Sequence, residues 1–109
     1  MELTLETFYR DTDGEGLDLR HLYVMAAMEY ALKKDPEGVS IEGICEVLRG
    51  TRTPNAVKLV IAQLQRMQLV ERATTREGQP IQLKGQGARG FYLFTVEAVR
   101  RFNLPGRVG

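Results

Sequence analysis

Residues 52–72 read RTPNAVKLVIAQLQRMQLVER, a capped helix that runs straight into strand-like sequence. Thr53 stands at the N-cap, and Pro54 falls at the first helical position, where no N–H is needed. Val57, Val60, Ile61, Leu64 and Met67 recur at helical spacing, which predicts one buried face and a helix ending near Met67. With Val57 at zero and an advance of about 100° per residue, Asn55, Lys58, Ala62 and Arg66 fall on the opposite side. Leu59 and Gln65 lie at the edges of that face; Leu59 can meet a thymine methyl, although packing against a neighbouring element is the favoured expectation.

Upstream, Ser40 caps a shorter helix, IEGICEVLR, in which Ile41, Ile44, Cys45 and Leu48 share one face. Gly50 follows its last turn and suits a left-handed C-terminal residue. Before it, LDLRHLYVMAAMEYALKKDPEGVS carries a helical repeat of Leu19, Leu22, Tyr23, Ala26, Ala27, Tyr30 and Ala31, with Asp18 as N-cap. Val24, Met25 and Met28 widen that stripe until the helix is apolar nearly all round, as in a helix buried in its own core or in a dimer. Lys33 and Lys34 suit its C-terminal end, and Asp35-Pro36-Glu37-Gly38 stops it.

Downstream, LVERATT and GFYLFT have strand character and are joined by REGQPIQLKGQGAR, a long polar loop in which Ile81 and Leu83 extend the first strand or add a short one. Thr95 then caps a last short helix, VEAVRRF. Two helices separated by a short turn, the second followed by a basic hairpin, describe a winged helix-turn-helix. The segment LQRMQLVER resembles the end of the recognition helix and start of the wing in MarR-like repressors, with Gln68 where that family usually has glycine. FTVEAVRRF is similar to the family's junction between the wing strand and the next helix, whereas the loop TTREGQPIQLKGQGARG lacks its Asp-x-Arg. The resemblance implies an α+β, mainly helical fold: a three-helix core, a β-hairpin wing and a short C-terminal helix. We expect an N-terminal arm over residues 1–16, able to form a dimer contact, the winged-helix domain over 17–104, and a tail over 105–109.

The net charge of +1 hides an asymmetry. Residues 1–50 hold five basic and eleven acidic side chains, and residues 51–109 hold ten and three. Such segregation points to a polyanion partner. The N-terminal half of a recognition helix reaches base edges in the major groove. That selects Arg52, Thr53, Asn55 and Lys58 as contacts, with Ala62 small enough for close approach. Asparagine can read adenine, and arginine or lysine can read guanine. Thr51 and Thr53 can bond phosphates at the helix N-terminus. Arg72, Arg76, Lys84 and Arg89 put four cations around the wing, and its glycines allow close backbone approach.

The expected partners are double-stranded DNA and a second copy of the chain, through the first helix, the Leu3/Leu5/Phe8/Tyr9 group or the C-terminal helix, with Phe8 and Tyr9 equally expected in the core. Repression of transcription is the expected role. A winged helix used for protein–protein contact, and a DNA-binding module for replication, plasmid or phage maintenance, are the alternatives. The sequence names no small-molecule effector. Asp11, Asp13, Glu15 and Gly16 mimic a calcium loop, but its ninth and twelfth positions are Leu19 and Leu22. His21 and Cys45 are single, so one chain forms no Cys/His zinc or catalytic set. Gly85, Gly87 and Gly90 open no helix and form no nucleotide loop. We expect no enzyme activity, cofactor or metal. No apolar run approaches a membrane span, and the acidic start MELTLET with one cysteine suits a cytoplasmic protein.

Overall fold

The computed structural model describes residues 17–81, 90–102 and Leu104. The arm over 1–16, the tail over 105–109, and Leu83, Lys84 and Arg89 lie outside the described residues. Helix α1 spans Leu19–Lys34, α2 spans Ile41–Val47 and α3 spans Pro54–Arg66. Strand β1 covers Val70–Arg72, β2 Thr75–Arg76, β3 Gln79–Pro80 and β4 Tyr92–Phe94, and α4 covers Val96–Phe102. The fold is α+β and mainly helical, with the arrangement of a winged helix.

The caps read from sequence all form. Arg20 N–H donates to the Asp18 carboxylate (2.9 Å), Gly43 N–H to Ser40 Oγ (3.1 Å), Ala56 N–H to Thr53 Oγ1 (3.2 Å) and Ala98 N–H to Thr95 Oγ1 (3.1 Å). The helix ends are more specific than the sequence suggested. At the end of α3, Gln68 N–H donates to Gln65 O and Leu69 N–H to Leu64 O, a Schellman closure with buried Leu69 set beside Leu64. It requires a left-handed residue, and Gln68 takes it at φ 62°. Helix α2 closes in the same way, with Arg49 N–H donating to Glu46 O and Gly50 N–H to Cys45 O. There Arg49 itself is left-handed (φ 54°) and Gly50 follows at φ 74°, so the strained position precedes the glycine expected to fill it.

Helices α1, α2 and α3 pack on one another around Met25, Met28, Ile44, Val57, Ile61 and Leu64, all fully buried. Each such side chain contributes about 1.5–3 kcal/mol through the water it leaves. The buried face of α1 runs through Leu22, Met25, Met28 and Leu32, with Val24 and Ala27 beside it. Leu19, Tyr23 and Tyr30, expected in the core stripe, instead remain 40%, 45% and 53% exposed. Tyr23 and Tyr30 lie about 160° and about 140° around the helix from Met25, on the side turned from the core, where Tyr23 meets Arg52 and Tyr30 lines a surface hollow with Glu46 and Val47 of α2.

The sheet is small. Val70, Glu71 and Arg72 pair antiparallel with Phe94, Leu93 and Tyr92, and Val39 adds one bridge by exchanging hydrogen bonds with Tyr92 (3.0 and 2.8 Å). The long connection from β1 to β4, expected to be a polar loop, contains a second hairpin. Thr75 pairs with Pro80 and Arg76 with Gln79 around Glu77 and Gly78, both at positive φ (52° and 78°), which is a type I′ turn. Glu-Gly is a weak sequence signal for that turn, because glutamate carries the full side-chain penalty at positive φ.

Gly38 is buried at φ 140°, and a Cβ there would stand 2.9 Å from the Phe91 Cβ. Urea unfolding should show Gly38→Ala losing about 2–3 kcal/mol through clash and backbone strain. Gln68→Gly should gain about 1 kcal/mol or slightly less, since relief at the left-handed position exceeds the entropy glycine adds to the unfolded chain. An unchanged midpoint for Gly38→Ala would remove the close approach of this turn to Phe91.

Candidate nucleic-acid interface

Helix α3 turns four core residues inward, Val57, Val60, Ile61 and Leu64, all buried. Asn55, Lys58, Gln65 and Arg66 are exposed on its other side, and Ala62 is half-buried between them. No acid lies in its first turn. The positive end of the helix dipole therefore meets no opposing carboxylate of its own helix.

The approach to that helix divides the sequence-predicted contacts by their hydrogen bonding. Thr51 is exposed, but its hydroxyl donates to Leu48 O (2.7 Å). In this arrangement Thr51 offers only lone pairs, which repel rather than bind a phosphate oxygen. Thr53 accepts from Ala56 N–H and keeps its own proton free to donate. Arg52 is half-buried, with its guanidinium 5.6 Å from the Tyr23 ring centre. Leu59, expected against a neighbouring element, is 68% exposed. It stands at the rim of a small groove of about 150 Å³ shared with Arg20, Arg52, Ala56, Val60 and Gln63. Helix α1 meets α3 on the Val60 and Gln63 side and does not extend over Leu59.

Below the groove, a buried histidine ties the helices. His21 Nδ1 lies 3.0 Å from Asp18 N and 3.1 Å from Asp18 Oδ1, and its Nε2 lies 2.7 Å from Gln63 Oε1. This places His21 in a structural link between the first turn of α1 and the last turn of α3, beside Arg20 at the groove, while Tyr23 packs under Arg52. Arg20 and Tyr23 carry no local signal of a place beside α3, because the residues they meet are distant along the chain. The only hint was the excess of apolar positions on α1.

The wing residues also separate. Arg72 ends β1 half-buried, and its buried Nε has no hydrogen-bond partner among the described residues. Arg76 turns inward: its guanidinium forms an ion pair with Asp35, donates to Gly38 O (3.4 Å), and lies 4.2 Å from the centre of the Phe91 ring. The basic surplus of the second half is thus partly neutralised by acids of the first. Lys84 and Arg89 lie outside the described residues. Cys45 is half-buried against the core, and burial together with Glu42 raises its thiol pKa, away from a reactive thiolate. No helix among the described residues is long and apolar enough to cross a membrane, and none of their His, Cys, Asp and Glu side chains form a metal-binding cluster.

No family model matches the chain, and no curated protein does. Among solved structures, the chain is similar to a protein from Ralstonia eutropha described as a "putative dna-binding protein". The two share 20% identity at a TM-score of 0.53, over 78% of this chain and 91% of that one. At this level of identity the likeness is one of fold.

Two carboxylates paired with arginines have lowered pKa values. The Arg20 guanidinium, hydrogen-bonded to Asp18, holds that carboxyl well below the usual carboxylate range. Partial burial opposes ionisation of Asp35, but hydrogen bonds from Arg76 and from Glu37 N–H outweigh it and lower its pKa. A folded-state pKa below the unfolded value of about 3.9 stabilises above that pH, and the contribution is lost as pH falls toward the folded values. The urea midpoint should therefore hold steady through mildly acidic solution and decline below about pH 4, with a shallower decline in Asp35→Asn. An identical pH profile for Asp35→Asn would show that the Asp35 carboxylate carries none of this dependence.

Proposed function

We propose that this chain binds double-stranded DNA with α3 in the major groove, as a homodimeric transcriptional repressor of the MarR-like kind. The observation that carries the reading is the outward face of α3. Asn55, Lys58, Gln65 and Arg66 stand exposed around Ala62 on a helix whose other side is fully packed, with an unopposed N-terminus. Asn55 suits adenine, and Lys58 and Arg52 suit guanine or phosphate. Thr53 can donate to a phosphate at the helix start, and Arg72, with Lys84 and Arg89, serves the backbone or minor groove. The Ralstonia protein, similar in fold, is described as DNA-binding, which supports the same use here. The left-handed Gln68 supports the MarR-like resemblance, since that family's glycine stands where the chain needs this conformation. The exposed stripe of Leu19, Tyr23 and Tyr30 on α1 supports a homodimer contact.

One observation favours a second reading. Leu59 is the most exposed side chain on α3's apolar rim and lies beside two arginines, Arg20 and Arg52. That combination also suits an acidic protein partner.

Duplex titrations at several salt concentrations separate the two. DNA binding gives a linear fall of log affinity with log salt, and Lys58→Ala should weaken binding while reducing that slope by about 0.9. Asn55→Ala should relax discrimination at one base position by about 1–3 kcal/mol. Both variants should melt like the parent protein. If neither random nor genomic duplexes bind at low salt, the DNA reading fails and the protein-contact reading takes its place.

A further inference from the structure

The hairpin β2–β3 is fastened to the turn between α1 and α2 by groups from both sides. Asp35 ends α1, and its carboxylate accepts from Glu37 N–H (3.2 Å) while pairing with Arg76. Arg76 reaches back to Gly38 O and lies over the Phe91 ring. The Glu37 carboxylate accepts the backbone N–H of Glu77 through both oxygens (2.9 and 3.1 Å). The turn itself is immobilised by the close approach of Gly38 to Phe91 and by the Val39–Tyr92 bridge. A planar, forked guanidinium makes all three Arg76 contacts at once, which an ammonium does not.

We propose that Arg76 is a positioning residue for DNA binding and not a phosphate contact. It holds the wing hairpin at a fixed angle to the helix-turn-helix, with Asp35 and Glu37 as its anchors. The proposal rests on the DNA reading above. With the tip of the hairpin turned onto the protein, Arg72 is the described wing cation left to approach a duplex. Fixing the wing beforehand removes an ordering cost from binding. Arg76 therefore acts on affinity without releasing a counterion of its own.

The slope of log affinity against log salt distinguishes the two roles. Arg76→Gln should weaken duplex binding about tenfold with an unchanged slope, whereas Lys58→Gln lowers the slope by about 0.9. Arg76→Lys should resemble Arg76→Gln, because charge without the fork does not restore the latch. Asp35→Asn should weaken binding similarly, and the exchange Asp35→Arg with Arg76→Asp should recover part of the loss. Amide hydrogen exchange in the free protein gives a readout independent of DNA. Glu77 and Ile81 should exchange at least about tenfold faster in Arg76→Gln and Asp35→Asn, while core amides such as Leu64 keep their protection and show the fold intact. A slope reduced by about 0.9 in Arg76→Gln would make Arg76 a phosphate ligand and overturn the proposal. Unchanged exchange at Glu77 and Ile81 would also overturn it, whatever the affinity. Failure of the parent protein to bind any duplex removes the DNA reading, and the exchange rates then still decide whether the latch exists.

Discussion

The packing of α3 on α1 and α2 is the constraint from which the rest of the molecule follows. Val57, Ile61 and Leu64 are buried against the helical core, and burying them fixes the rotation of α3 about its axis. A helix rotated by one residue would expose part of that stripe, at about 1.5–3 kcal/mol for each side chain moved into water. The same packing that stabilises the domain therefore chooses which residues face outward. Asn55, Lys58 and Arg66 are on the surface because the apolar residues between them are not.

The two ends of α3 turn this orientation into a working arrangement. The Thr53 cap and Pro54 start the helix cleanly at the surface. At the other end the Schellman closure through left-handed Gln68 directs the chain into β1, and Thr95 reinforces it by donating to Gln68 O (2.7 Å). Thr95 thereby caps α4 and ties the closing strand to the end of α3. The wing is attached twice, once here and once through Arg76 at the α1–α2 turn, so it is held by both parts of the helical unit.

Two residues show why side-chain roles were harder to read than helices. Arg76 looks like a wing cation in a basic loop, and nothing within its neighbours in sequence announces Asp35, 41 positions away. His21 looks incidental, yet it is buried and bonded to Gln63, 42 positions away. In both cases the deciding partner is distant along the chain, and charge or periodicity within a window carries no information about it. Leu59 is the converse. Its apolar character suggested a covering element, whereas α1 passes on the Gln63 side and leaves it exposed.

The sequence by itself determined the order of the four helices and the two main wing strands, the four helix N-caps, the buried face of α3 and the polar face opposite it. Those features depend on residues within about a turn of one another, where spacing and capping chemistry act directly. Only the tertiary structure decided which face of α1 is covered, that a second hairpin forms around Glu77 and Gly78, and that Arg76 pairs with Asp35 and lies over Phe91. Each of these is settled by contacts between segments far apart in the chain. A pattern in the sequence shows that a side chain is apolar or charged, but its partner is assigned only when the packed helices bring the two together.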